Sequence, residues 1–252
     1  MGNEQIDTEL TGYDEESITL RGTDFTDDIV GELSFPATVY YLWTGTEPTE
    51  SQEQVVDAML TGLVVHGTTP SAIASRMVAR NEPKALQAAV AGGLLGVGSG
   101  YLGTQQRCAK ELQALAGQSD VLAAVEELVS SYLDGDEQFP GIGHPVFTVD
   151  PRAERLFEIA AEEGIAGTHV EILWSVHGKF EAEIGSSLTI NVIGAMAAIG
   201  SDAGLSPEAI RSLAIVSSAA GLTGAVLEER DQPIADDIWQ LVERERHGQG
   251  GE

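Results

Sequence analysis

His144 closes the run Gly141-Ile142-Gly143-His144, and Arg152 follows it in Asp150-Pro151-Arg152. A neutral imidazole donates at one ring nitrogen and accepts at the other, while a guanidinium presents a planar fork of donors matched to a carboxylate. On a glycine-hinged loop leading into a helix, the pair makes a small site for a carboxylate-bearing carbonyl compound. Histidine would polarise the oxygen and arginine would hold the acid. Asp150 is the expected N-cap, and Pro151 suits the first helical position. A cation in that first turn faces the positive end of the helix dipole, so Arg152 calls for an anion beside it. Taken alone, the same residues fit an ordinary surface turn equally well, because Gly-x-Gly-His is a weak signal.

The elements that must position this pair are mainly helical. Ser17–Arg21 is the best short strand. After it, apolar spacing follows the helical period. Ser34 with Pro36 starts a helix to about Thr44. Ser51 caps the next, with Val55, Val56, Met59, Leu60 and Leu63 on one stripe, ending at His66-Gly67. Thr69-Pro70 opens a helix through Val78. Pro83 leads into Ala85–Leu95, whose small and apolar face predicts burial. Gly96–Gly103 reads as a glycine-dense break. Further helices are expected over Gln105–Ala116, Asp120–Leu133, Arg152–Glu163, Thr168–Phe180, Leu188–Ile199, Pro207–Ala220 and Ile234–Arg244, with a frayed tail from His247.

Composition narrows the partners. The 252 residues carry a formal net charge of −27, and Lys84, Lys110 and Lys179 are the only lysines. Such a surface repels nucleic acid and anionic membranes, so neither is an expected partner. The acids are dispersed, which together with the scarce lysine points to a salt-loaded, halophilic cytoplasm. Cys108 is the single cysteine and is expected to be a small core residue rather than a reactive thiol. No apolar leader and no run of roughly 18–20 apolar residues is apparent, so the expected location is cytoplasmic. The five histidines are scattered, so no metal site is expected. Gly96-Val97-Gly98-Ser99-Gly100 lacks the strand–helix context of a dinucleotide fingerprint.

Longer stretches carry a resemblance. Leu20–Thr49, beginning Leu20-Arg21-Gly22-Thr23-Asp24, His66–Val78, Gly141–Arg152 and Asn191-Val192 together resemble the citrate synthase family over nearly the whole chain, in order. The nearest pattern is that of citryl-CoA lyases and of the citrate synthase-like C-terminal portion of ATP-citrate lyase. The resemblance implies an all-α fold with a large helical domain (1–106 plus 190–252) and an inserted small helical domain (107–189). It also implies a homodimer with its active site in the interdomain cleft. The implied reaction is cleavage of citryl-CoA to acetyl-CoA and oxaloacetate, or the reverse condensation. The CoA thioester would be a substrate, with no tightly bound cofactor. His66, His144 and Arg152 match the family's substrate-binding residues, with His66 and His144 also in catalytic positions.

Departures from the family pattern stand beside these matches. Tyr101, within Gly98–Gln105, falls where synthases place a catalytic histidine; its hydroxyl is a candidate enolate donor, with a buried packing role the alternative. The catalytic aspartate's position holds Ile193, and Ser218 takes the place of an arginine. Replacement bases to consider are Glu181, Glu183 and His177, each more readily read as a solvated helix residue. The rival expectation is a catalytically degenerate paralogue that binds CoA, citrate or an active partner subunit. Glycine amides of Gly96–Gly103 near a CoA phosphate, and an Arg155–Glu158 pair, complete the expectations.

Overall fold

The computed structural model describes residues 8–65, 67–135 and 137–248. A small antiparallel sheet, β1 (Thr11–Tyr13), β2 (Ile18–Leu20) and β3 (Thr23–Asp24), stands in that order, with Thr11 opposite Leu20. The rest is helical: α1 (Phe25–Asp28), α2 (Phe35–Thr44), α3 (Glu50–Gly62), α4 (Pro70–Asn81), α5 (Leu86–Leu102) and α6 (Thr104–Ala116). Then come α7 (Val121–Asp134), α8 (Pro151–Glu162), α9 (Thr168–Ile184), α10 (Val192–Asp202), α11 (Pro207–Asp231) and α12 (Ala235–Arg246).

Most helix starts follow one local rule. A short polar side chain satisfies a first-turn amide, and proline, lacking an N–H, occupies an early position where none is needed. Ser34, Thr69, Asp150 and Ser206 cap α2, α4, α8 and α11 in this way, each with a proline at the first or second position. The cap of α3 is Thr49 rather than the expected Ser51. Its hydroxyl accepts from the Gln52 amide while the Gln52 side chain accepts from the Thr49 amide, closing a reciprocal box at an earlier start. That helix ends at Gly62, short of the predicted His66-Gly67.

Helix α10 is the axis of the molecule. Val192 and every residue from Gly194 to Ser201 are buried, and α3, α6, α8, α9 and α11 all pack on it. Its glycines and alanines permit close approach: a Cβ on Gly200 would lie 2.8 Å from Ile210 Cγ1. Met59, Leu112, Leu173, Met196, Ile199, Ile210 and Leu213 are fully buried in the same continuous core, each contributing about 1.5–3 kcal/mol of apolar transfer. Cys108 belongs to it too, and burial pushes its thiol pKa up, as a core residue requires. A second stitch joins α4 to the end of α11, where buried Arg76 meets Glu228 and Glu229.

Three expectations are corrected here. The glycine-dense segment is helical, interrupted only at Gly98 (φ 62°, ψ 176°), a conformation that glycine alone adopts cheaply. The face of α5 is only partly buried: Ala89 and Gly93 are buried where the helix packs on α4 and α11, while Leu95 on its open side is 83% exposed. Helix α11 runs to Asp231 and is long and apolar enough to cross a bilayer by length and composition. Its packing on α3, α4, α5, α6 and α10 is that of a core helix.

Candidate active site

The His144 loop is sewn to the start of α10. Gly141 (φ +96°) accepts from the Asn191 amide at 3.0 Å, Ile142 forms a bridge with Ile190, and Gly143 (φ +95°) donates to the Thr189 carbonyl at 2.7 Å. Asn191 works in both directions. Its side-chain nitrogen donates to the Gly143 carbonyl at 2.7 Å, and its side-chain oxygen caps α10 by accepting from the amides of Ile193 and Gly194. The backbones cross so closely that a Cβ on Gly141 would lie 2.6 Å from Gly194 Cα.

This loop fixes the histidine's tautomer. His144 Nδ1 accepts from the backbone amides of Val146 (3.1 Å) and Phe147 (3.0 Å). A nitrogen that accepts carries no proton, so the ring hydrogen is on Nε2, where it is available to a substrate oxygen. The ring also lies against Phe147, with centroids 4.6 Å apart.

Arg152 finds its anion within its own chain. Its Nε and Nη2 donate to Asp150 at 3.0 and 2.8 Å, a bidentate pair, while Asp150 also accepts from the amides of Arg152 and Val192. Burial acts to raise the Asp150 pKa, but the hydrogen bonds from Arg152 and Val192 and the Arg152 charge outweigh it and hold the carboxyl below its ordinary value. His144 and Arg152 are thus anchored to the same first turn of α10, one through Asn191 and the other through Asp150.

One cleft borders this turn, and a second lies beside Arg152. One, of about 450 Å³, is lined by Thr104, Arg107, Gln138, Gly143 and Asn191. The other, of about 560 Å³, runs between α3 and α8 and is lined by Thr61, Gly62, Arg152 and Arg155. Among the described residues no hydrogen bond joins Tyr101, His144 and Arg152 to one another. His66 lies outside the described residues. Tyr101 is 74% exposed in the last turn of α5, three residues before Thr104 of the first cleft, so it has no buried packing role within the single chain.

The spare bases are engaged elsewhere. Glu181 accepts from the Leu188 amide at 2.8 Å and from the Ser187 hydroxyl; the amide bond foremost, against slight desolvation, lowers its pKa. Glu183 pairs with Lys179 at 3.1 Å, and His177 Nε2 lies 3.0 Å from the Leu188 carbonyl. Glu181 and His177 brace the turn after α9, while Glu183 is spent on an ion pair within α9. Arg155 pairs with Glu158, as its spacing implied. Ile193 packs partly buried on the core, and Ser218 is buried in α11. Sequence reasoning missed Thr189 and Phe147, whose parts depend on contacts across the fold.

A family model for the citrate synthase C-terminal domain matches residues 10–240. Citryl-CoA lyase from Hydrogenobacter thermophilus is 32% identical, with a TM-score of 0.81 over 89% of this chain and 86% of that one. The Methanosaeta concilii ATP citrate lyase in complex with (3S)-citryl-CoA is 19% identical, with a TM-score of 0.76 over 94% of this chain and 42% of that one. Citrate synthase from Pyrobaculum aerophilum is 22% identical, with a TM-score of 0.64 over 80% and 51%. At those lower identities the likeness is one of fold. No curated protein sequence matches the chain.

Proposed function

The chain belongs to the citrate synthase family, and from that premise we propose that it cleaves citryl-CoA to acetyl-CoA and oxaloacetate. The observation that carries this reading is His144, held as the Nε2–H tautomer on a loop sewn to the central helix. In the cleavage, the hydroxyl proton passes from the substrate's C3 oxygen to solvent water as the adjacent carbon–carbon bond breaks. The oxygen becomes a carbonyl, and the departing acetyl-CoA enolate takes a proton from the same water at carbon. His144 Nε2–H donates to that oxygen throughout, stabilising the charge it gathers before the carbonyl forms. Arg152, oriented by Asp150, keeps its Nη1 edge for a substrate carboxylate, and His66 holds a second. Tyr101, exposed at the end of α5, supplies a hydroxyl for the enolate oxygen.

Substrate and architecture follow the same reading. The CoA thioester enters as substrate rather than as a resident cofactor. The chain divides into residues 1–106 plus 190–252 and residues 107–189, closing over the substrate. The open apolar face of α5, with Leu95 uppermost, supports a homodimer. The dispersed acidity supports a salt-rich cytoplasm. Ile193, which cannot move a proton, favours the second reading, a degenerate paralogue that binds CoA or citrate beside an active subunit.

Product analysis separates the possibilities. Lyase activity releases acetyl-CoA and oxaloacetate in equal amounts with no free thiol. Condensation followed by hydrolysis yields citrate and free CoA, read by a thiol reagent. A folded sample that binds CoA or citrate and gives neither product would support the paralogue and sink the lyase.

A further inference from the structure

One residue brackets the His144 loop at both ends. The Thr189 carbonyl accepts from the Gly143 amide at 2.7 Å, immediately before the histidine. Its single hydroxyl hydrogen is shared between the carbonyls of Thr148 (2.7 Å) and Phe147 (3.0 Å), on the far side. Those carbonyls sit on the stretch whose amides, Val146 and Phe147, point at His144 Nδ1. Thr189 itself is 8% exposed and continues directly into Ile190, which bridges Ile142, and Asn191, which caps α10. The loop is otherwise open to solvent at Val146 and Val149, so little else restrains its outer half.

We propose that Thr189 is the positioning residue for His144: its hydroxyl holds the Phe147–Thr148 backbone so that two amides lock the imidazole as the Nε2–H donor. The inference rests on the reading of His144 as the group that polarises the substrate oxygen. Without the hydroxyl, the stretch between His144 and the Asp150 anchor would be held only through the histidine it is meant to orient. The ring would then exchange tautomers, and its donor would be misplaced for part of the time.

Thr189→Val removes the hydroxyl with little change in shape, Thr189→Ser keeps it, and Thr189→Ala serves if valine disturbs the fold. Long-range proton–nitrogen spectra of histidine-labelled protein, with His144 assigned by its loss in His144→Gln, report the tautomer without any need for turnover. The native protein and Thr189→Ser should show a fixed Nε2–H ring, and Thr189→Val a mixture. For citryl-CoA, kcat should fall about 10-fold in Thr189→Val with KM within about 2-fold, and recover in Thr189→Ser. Native tautomer signals in Thr189→Val would overturn the proposal. So would equal losses in the serine and valine variants, which would assign the effect to packing. If the native protein turns over no citryl-CoA, the functional reading fails, and the spectra still decide the clamp.

Discussion

Alanine at Gly141 would meet two separate penalties, and the structure allows them to be measured apart. The residue's φ of +96° is left-handed, costing an L side chain about 1–2 kcal/mol. Its Cβ would also stand 2.6 Å from Gly194 Cα, 2.9 Å from Gly194 N and 3.1 Å from Cys108 Sγ. Two of these are backbone atoms at the start of the central helix, so relief requires moving α10 or the loop, an overpacking cost of about 1–3 kcal/mol. The expected total is about 2–5 kcal/mol. Gly143→Ala is the internal control: φ is +95°, yet no atom lies within 4 Å of its Cβ, so only the conformational part applies. Denaturant unfolding followed by circular dichroism in molar potassium chloride should place Gly141→Ala about 1–3 kcal/mol below Gly143→Ala. Equal stabilities within about 0.5 kcal/mol would refute the close crossing of the Gly141 loop and α10.

Further consequences concern capping, acid stability and the arginine. Thr49→Ala should lower stability by about 1 kcal/mol, whereas Ser51→Ala should stay within about 0.5, read by the same unfolding curves; the reverse order would reject Thr49 as the cap. In Asp150 and Asp202, burial pushes the carboxyl pKa upward, but bonds from Arg152 in one case and from His169 in the other leave both below the ordinary value. A depressed folded pKa gives stability that is complete above the unfolded value and lost as pH falls through the folded one, so the unfolding midpoint should drop below about pH 4. Asp202→Asn should flatten that acid limb, and an unchanged profile would contradict the assignment. Arg152→Lys should fail to rescue the loss in kcat/KM for citryl-CoA seen in Arg152→Ala, at least about 10-fold, because an ammonium cannot span Asp150 and a substrate carboxylate with a planar fork.

What was legible in the sequence was local. Ser34 with Pro36, Thr69-Pro70 and Asp150-Pro151 declare helix starts because cap and proline act within one turn. The citrate synthase-like order of motifs likewise carried the fold. Leu188-Thr189-Ile190 reads as the beginning of a helix, yet Asn191 is the cap, because Ile190 is taken by its bridge to Ile142 far back in the chain. Thr189 gives no local sign of its part, since its hydroxyl's partners lie 41 and 42 residues away. The anion beside Arg152 was inferred from the dipole, but its identity, the capping Asp150, needed coordinates. The exposure of α5 escaped composition because an alanine- and glycine-rich face looks the same whether it packs within a chain or awaits another surface.

The central claim is that His144 polarises the oxygen of a citryl-CoA that this chain cleaves. Its most direct test is oxaloacetate release from citryl-CoA by the purified native protein and by His144→Ala, side by side in molar potassium chloride, with unfolding curves confirming that both are folded. The account predicts steady turnover by the native chain and a loss of at least about 100-fold in the variant, with little change in stability. Turnover that survives in His144→Ala would contradict it.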